Sequence, residues 1–153
     1  MAALMYGSGL RLMECCTLRA KDIDLERGEL TVREGKGAKD RVTMVPGRLR
    51  PDLVAHLAAV KRQHEADLRA GHGSVALPGA LHEKYPRAPW EWSWQWVFPA
   101  TRHYVDPASG HRRRHHFHET ALQRAFKDAV RRAGLTKPAT CHSLRHSFAT
   151  HLL

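Results

Sequence analysis

Long hydrophobic runs are missing from this sequence of 153 residues. No apolar stretch approaches the roughly 20 residues that a membrane-spanning helix needs, and no basic amphipathic segment is present that would anchor the chain to a membrane surface. Nothing resembles a secretory signal peptide, and the three cysteines (Cys15, Cys16 and Cys141) form no framework of paired spacings. We therefore expect a soluble protein of a reducing, cytoplasmic compartment, without membrane contact.

Acidic residues are scarce relative to basic ones. Fifteen Asp and Glu stand against twenty-five Lys and Arg, so the formal net charge is +10. An excess of this size in a short chain favours a polyanionic partner, and nucleic acid is the first candidate. Hydrophobic residues make up 42% of the chain, which is enough to bury one core.

Spacings typical of metal sites are also missing, since neither C-x-x-C nor H-E-x-x-H occurs. The segment 111–118 contains four histidines that could combine with Cys141 in a zinc site, which is the alternative to a metal-free protein. Arginines interrupt these histidines, so we expect no metal. The candidate ligands in this alternative are His111, His115, His116, His118 and Cys141.

Apolar periodicity predicts helices over residues 1–6, 11–20, 51–69 and 119–133, and from about Thr140 to the end of the chain. Gly7-Ser8-Gly9 separates the first two helices, and Cys15 and Cys16 are expected to pack in the core. Residues 29–33 and 41–45 alternate around a stretch with two glycines, which predicts an antiparallel hairpin. The predicted fold class is mainly α with a small antiparallel β-sheet (α+β).

The segment 72–118 loses this periodicity. It contains five of the eight prolines and all four tryptophans, and it ends in a basic, histidine-rich run. We interpret it as an inserted or irregular segment. Both ends of the chain lie inside apolar helical patterns without the usual cap signals, so we expect residues 1–153 to be a partial domain, truncated at both ends.

His142 and Arg145 have a spacing that places two cationic side chains on one face of a helix, near its positive N-terminal end. Such an arrangement suits a phosphate. The alternative is a satisfied polar pair at a helix end.

Two further cationic groups follow or interrupt glycine turns. Arg11 comes directly after the first glycine turn, and Glu14 can hold it through an i,i+3 contact. Lys36 lies between two glycines in the hairpin tip, which lets the tip approach a nucleic-acid backbone closely. The alternatives are a solvated arginine and an ordinary charged hairpin.

Three separated stretches together resemble one family, the tyrosine recombinases. They are Tyr6-Gly-Ser-Gly-Leu-Arg11-Leu-Met-Glu14 with Leu18-Arg-Ala-Lys-Asp-Ile-Asp24, Gly35-Lys36-Gly-Ala-Lys-Asp-Arg41, and His142-Ser-Leu-Arg145-His-Ser-Phe-Ala-Thr-His-Leu-Leu153. The resemblance implies the core of a recombinase catalytic domain, which cuts and rejoins DNA without a metal or nucleotide cofactor.

The resemblance also implies roles for individual residues. Arg11, Arg145 and His142 would bind the scissile phosphate, and Lys36 would protonate the leaving 5′ oxygen. Guanidinium groups suit the negative charge that develops on the phosphate, and Glu14 would orient Arg11.

The sequence departs from the family pattern in one large respect. The tyrosine nucleophile and a further His or Trp of the family lie downstream of the His-x-x-Arg helix. Tyr6, Tyr85 and Tyr104 all precede that helix. We therefore expect this fragment alone to be inactive, and a non-catalytic basic DNA-binding module remains an alternative.

The segment 72–118 resembles the extra insert of integron integrases, which ordinary Xer and phage relatives lack. The resemblance implies a bacterial protein that integrates and excises gene cassettes, assembles as a tetramer on DNA, and binds folded single-stranded cassette sites and double-stranded attachment sites. A Xer-type or phage-type integrase fragment is the alternative within the family.

Nine residues are predicted DNA contacts, some on the hairpin and most in the insert. Aromatic and histidine rings would stack on protruding bases and arginines would hold phosphates, while simple burial of the tryptophans is the alternative. The predicted contacts are Lys39, Arg41, Trp94, Pro107, Arg112, Arg113, Arg114, His115 and His116.

Overall fold

The protein is described here from a computed structural model, which covers residues 1–33 and 39–151. Six helices and two small antiparallel sheets make up the regular part of these residues. The predicted mainly helical fold with antiparallel strands is confirmed. In chain order the elements are α1 Ala2–Ser8, α2 Leu12–Cys16, β1 Ile23–Asp24, β2 Glu29–Val32, β3 Arg41–Met44, α3 Arg50–Arg69, α4 Leu81–Lys84, β4 Pro99–Val105, β5 Arg112–His116, α5 Glu119–Arg132 and α6 Cys141–His151.

The first sheet has the strand order β1-β2-β3. Alternation along β2 buries Leu30 and Val32 and leaves Glu29 exposed, as the period of two requires. Val32 lies opposite Arg41 on β3, and the Thr43 hydroxyl donates to the carbonyl of Ser8 at 2.9 Å. The predicted hairpin is therefore present, and it is fixed to the end of α1.

The second helix is shorter than predicted. It ends at Cys16, where the Thr17 hydroxyl donates to the Met13 carbonyl at 2.7 Å, and the chain then leaves the helix. The carbonyl of Leu18 accepts from the Val97 amide at 2.9 Å. Pairing with the later segment therefore replaces the helical hydrogen bonds that periodicity predicted for residues 17–20.

Helix α3 begins one residue before Pro51. Proline suits the first helical turn because backbone amides there have no acceptor within the helix, so the N–H that proline lacks is not needed. The inner side of α3 buries Leu53 and Val60. The core lies between α1, α2, the first sheet and the start of α3, and both adjacent cysteines are fully buried in it, as predicted. Its buried members are Leu4, Met5, Leu10, Cys15, Cys16, Leu18, Leu30, Val32, Val45, Leu53, Val97, Leu122 and Cys141.

The segment 72–118 is more ordered than its composition suggests. It contains two 3-10 turns, Ala88–Trp90 and Trp92–Trp94, followed by the hairpin of β4 and β5. These turns break any extended run through the four tryptophans, which stand at every second position from 90 to 96. The hairpin itself was not predicted.

Helix α6 crosses α1 at a glycine. Gly9 ends α1 in the left-handed region with φ of 62°, and a Cβ on it would lie 2.4 Å from the Phe148 ring. At the outer end of this contact the Tyr6 hydroxyl and His151 Nδ1 are 2.6 Å apart. The glycine turn therefore serves both the chain reversal and the close approach of α6.

Within residues 1–33 and 39–151, none of the helices combines the length and the apolar character needed to cross a membrane.

Candidate active site

Glu14 organises the start of α2. Its carboxylate accepts the backbone amide of Arg11 at 2.7 Å and Nη1 of the same arginine at 2.7 Å, which closes a capping box. The predicted i,i+3 contact is thus present. The Glu14 side chain is only 10% exposed, so both the backbone and the guanidinium of Arg11 are held by a nearly buried group.

Arg41 contacts the same carboxylate from the first sheet. Its Nη1 lies 2.8 Å from Glu14 Oε1 and its Nη2 lies 2.6 Å from Oε2. This is the two-pronged geometry in which a guanidinium matches a carboxylate best. Arg41 was predicted as a DNA contact, but its fork is directed at Glu14.

Arg145 approaches from α6. Its Nη1 donates to the Gly9 carbonyl, in the glycine turn that precedes Arg11, and lies 3.9 Å from Glu14 Oε2. Burial lowers the pKa of Arg145, and the positive charges of Arg11 and Arg41 lower it further. Arg11 and Arg145, which are 134 positions apart in sequence, therefore meet at one place, as the predicted phosphate site requires.

The charge balance of this cluster favours an anion. Burial alone would raise the pKa of Glu14, but hydrogen bonds from Arg41 and Arg11 outweigh it and lower the pKa to about 2. One ionised carboxylate thus stands among three guanidinium groups, Arg145 included. The cluster keeps an excess of positive charge, which a phosphodiester can neutralise.

His142 lies near the start of α6, one helical turn before Arg145, and is exposed. It lines a groove of about 650 Å³ together with Arg11 and Arg145. Its Nε2 is 2.8 Å from Nε2 of His146, so one ring must donate and the other accept. The structure therefore brings three of the four predicted catalytic side chains to the rim of one groove.

The fourth predicted catalytic residue, Lys36, lies outside the residues that the structure describes. Lys39, a predicted DNA contact at the edge of that stretch, is exposed.

The predicted base-stacking residues have different surroundings. Lys21 Nζ lies 3.0 Å from the centre of the Trp94 ring, so a cation already covers one face of it. His116 is buried, its Nδ1 donates to the Phe117 carbonyl at 2.8 Å, and burial lowers its pKa. His115 and Pro107 are exposed.

The three consecutive arginines of β5 also differ. Arg112 is exposed, whereas Arg113 pairs with Asp106 at 2.9 Å. Arg114 donates Nε and Nη2 to Asp67 at 2.6 and 3.1 Å, and its Nη1 donates to two carbonyls of β4. That all three hold phosphates stays a prediction, but Arg113 and Arg114 already pair with carboxylates, Asp106 in the turn between β4 and β5 and Asp67 on α3.

The alternative metal ligands are dispersed. His118 caps α5 by accepting from the Thr120 amide at 3.3 Å, and Cys141 is buried in the core. In the part of the chain that the structure describes, no group of three or more His, Cys, Asp or Glu side chains could hold a metal ion.

Sequence reasoning identified Arg41 but missed its partner. Residues directly opposite each other in a sheet lie on the same face, and Arg41 is opposite the buried Val32. The pairing of the strands therefore indicates that the Arg41 side chain lies on the inner face of the sheet, although it does not identify Glu14 as the partner. Arg19 was missed entirely. It is buried, donates to the carbonyls of Trp94 and Ala76 at 2.7 and 2.8 Å, and lies 3.6 Å from the centre of the Trp96 ring.

Comparison with known proteins agrees with this geometry. A model described as the phage integrase family matches residues 1–153. An integrase/recombinase of Escherichia coli is 52% identical over 99% of the chain and 45% of its own length, and one of Pseudomonas aeruginosa gives the same values. Tyrosine recombinase XerA of Thermococcus kodakarensis is 32% identical over 98% of the chain and 39% of its own length.

A crystal structure of XerA recombinase is similar in fold, with a TM-score of 0.57 and 25% identity over 99% of the chain and 41% of that protein. The chain thus spans less than half the length of the curated relatives named above. Because the family model matches the whole chain and its motifs build the Glu14 cluster, this chain belongs to the phage integrase family of tyrosine recombinases.

Proposed function

We propose that this chain is part of a site-specific DNA recombinase and supplies its phosphate-binding groups. The observation that carries the proposal is the convergence of Arg11 and Arg145 on Glu14, with His142 on the same groove. Arg11 and Arg145 bind the non-bridging oxygens of the scissile phosphate, and His142 contributes a further hydrogen bond. The excess positive charge of the cluster stabilises the transition state more than the ground state, since charge develops there during attack.

The reaction is a transfer of the phosphoryl group in line. A tyrosine from outside these 153 residues gives its phenolic proton to solvent water and forms a bond to phosphorus, while the bond from phosphorus to the 5′ oxygen breaks. Lys36 donates a proton to that leaving oxygen. Attack by the freed 5′ hydroxyl of another strand reverses these steps and rejoins DNA, so the sequence of steps needs no metal or nucleotide.

The substrate of the proposed recombinase is a gene cassette. Residues 72–118 support this by forming a separate hairpin whose surface carries exposed Pro107, Arg112 and His115. Folded single-stranded cassette sites would be bound through protruding bases, and double-stranded attachment sites through the phosphate groups, by a tetramer in the bacterial cytoplasm. The similarity to XerA supports a Xer-type exchange between double-stranded sites as the second candidate.

The insert residues take unequal parts in this proposal. His115, which is exposed, stacks on a base, and the partly exposed Trp94 ring, which Lys21 covers on one face, is the second stacking candidate. Arg112 holds phosphate directly. Arg113, Arg114 and His116 shape the hairpin that presents these groups.

Replacement of Arg145 tests the site. In the protein extended to the length of its relatives, Arg145→Ala should reduce strand cleavage by about a thousandfold, because it removes a group aimed at the developing charge. DNA affinity should change little, since many other cations contact phosphates. Single-turnover cleavage of a nicked substrate measures the first effect and a titration measures the second.

The matched control is Arg132→Ala, which removes an exposed arginine from the end of α5. It should cleave at the unmodified rate. Cleavage by the Arg145→Ala protein at that same rate would contradict the proposed site.

His115→Ala tests the cassette proposal. It should weaken binding to a folded hairpin with extrahelical bases by about tenfold, because stacking contributes about 1–3 kcal/mol per base. Binding to the same hairpin with those bases deleted should be unchanged. Equal losses on both hairpins would contradict base stacking and favour the Xer-type alternative.

A further inference from the structure

The three arginines around Glu14 use their guanidinium groups unequally. Arg11 reaches the carboxylate through a single nitrogen, Nη1, and Arg145 donates its Nη1 to the Gly9 carbonyl. Arg41 instead places two nitrogens on the two oxygens of Glu14, at 2.8 and 2.6 Å. The two terminal nitrogens of the Arg41 guanidinium, with which it would bind a phosphate, thus already donate to a carboxylate.

We infer that Arg41 is a positioning residue for strand cleavage, which clamps Glu14 and thereby fixes Arg11, and that it does not itself bind DNA. This inference rests on the proposed recombinase function. It replaces the expectation that Arg41 contacts DNA.

The location of Arg41 explains how a clamp can act here. It is the first residue of β3, opposite the buried Val32, and the same strand donates a hydrogen bond from Thr43 to Ser8 at 2.9 Å. The strand thus contacts the polypeptide on both sides of the glycine turn, at the end of α1 and at the start of α2. Arg41 joins the rigid sheet to the capping box that orients Arg11.

Removing the clamp would change the charge distribution of the site. Glu14 would keep its buried carboxylate but lose two of its donors, and Arg145 already lies 3.9 Å from Oε2. Arg145 and Arg11 would then turn toward Glu14 to compensate its charge. Both guanidinium groups would be withdrawn from the phosphate, so cleavage would fall although their charges remain in place.

Arg41→Lys is the informative variant because it retains the charge and removes the fork. In the full-length protein, single-turnover cleavage at saturating DNA should fall by about a hundredfold, as expected for misplacement of reacting groups. DNA affinity should stay within about twofold, with an unchanged slope against salt concentration. Glu14→Gln should cause a similar loss, and adding Arg41→Lys to it should cause little more, because both changes break one contact.

Lys39→Ala is the matched control from the same hairpin, since Lys39 is exposed. It should lower DNA affinity and reduce the salt slope by about one, which is the pattern expected for loss of a direct phosphate contact. If Arg41→Ala, which removes one charge as Lys39→Ala does, lowers DNA affinity and the salt slope in the same way, Arg41 is a DNA contact and the inference is wrong. It is also wrong if the Arg41→Lys protein cleaves and binds normally.

Carbon-13 NMR titration of Glu14 tests the clamp without any cleavage assay. The groups facing the carboxylate are Arg11, Arg41 and Arg145, and the hydrogen bonds from Arg41 and Arg11 lower its pKa to about 2 despite its burial. In Arg41→Lys the pKa should rise toward or beyond its ordinary value, because burial is then poorly compensated. An unchanged pKa overturns the inference, whereas absence of cleavage by the unmodified full-length protein would refute the proposed function instead.

Discussion

Two regions of the molecule can be compared: the helices α5 and α6, which have regular apolar patterns, and the segment 72–118, which has none. The regular helices bury few residues, whereas the irregular segment buries many. Both helices follow a clear apolar period, yet among the described residues each has one buried member, Leu122 in α5 and Cys141 in α6. The segment 72–118 has no such period, but it buries nine residues. They are Gly73, Ser74, Val75, Ala88, Pro89, Gln95, Trp96, Val97 and His116.

The helices show that periodicity predicts a face without predicting what covers it. Phe126 and Val130 belong to the predicted stripe of α5, and both line the open groove beside His142. Their apolar surface is directed at the same place as the phosphate-binding groups. The pattern therefore identified the right element and the right face, but not its burial.

The segment 72–118 shows a different way of packing a chain, in which polar side chains satisfy backbone carbonyls. The Gln95 amide donates to the carbonyls of Gly73, Pro89 and Glu91 at 3.3, 3.1 and 3.1 Å. From α3, His64 contacts the Trp90 carbonyl at 3.0 Å and His56 contacts that of Val97 at 2.7 Å. Irregular backbone can be buried in this way because few of its carbonyls are left without a partner.

The largest effect is expected where α6 rests on α1. Gly9→Ala should destabilise the protein by about 3 kcal/mol, because a left-handed backbone costs about 1 kcal/mol and overpacking costs a further 1–3. The added methyl group would lie 2.4 Å from the Phe148 ring. Urea denaturation measures the loss, and hydrogen exchange should show faster opening of α6 amides than of α3 amides.

Gly28→Ala is the matched control for this prediction. Gly28 has φ of 68°, but a Cβ there would meet nothing within 4 Å. It should therefore cost only the backbone part, about 1 kcal/mol. Equal losses of stability from the two substitutions would show that close packing of Phe148 on Gly9 does not contribute to the stability of the contact between α6 and α1.

Local patterns predicted those parts of the fold that depend on local interactions. Alternation predicted β2 and β3, and Pro51 with a long apolar period predicted α3 almost to the residue. The end of α2 and the hairpin of β4 and β5 could not be read in this way. Both depend on pairing between segments far apart in sequence, such as the Leu18 carbonyl with the Val97 amide.

In the candidate site too, contacts within one helical turn could be predicted from the sequence, whereas contacts between distant segments could not. The spacing of Arg11 and Glu14 predicted a contact within one helical turn, and that of His142 and Arg145 predicted a shared face. Nothing local indicated that Arg41 would clamp Glu14 across 27 positions, or that Arg145 would reach the Gly9 carbonyl. Those contacts arise from the packing of α6 and the first sheet around the glycine turn.

A smaller effect is expected from the anchor of the insert. Arg19→Ala removes a buried guanidinium that donates to the carbonyls of Trp94 and Ala76 and stacks on Trp96. The loss should be about 2 kcal/mol, because hydrogen bonds from a charged group contribute about 1.5–3 kcal/mol and the two freed carbonyls recover part of this by hydration.

Arg102→Ala, which changes an exposed arginine on β4, should lie within about 0.5 kcal/mol of the unmodified protein. Urea denaturation followed by tryptophan fluorescence reports directly on this region, since all four tryptophans lie between residues 90 and 96. If Arg19→Ala is no more destabilising than Arg102→Ala, then polar anchoring does not hold the insert and its apolar contacts alone explain its burial.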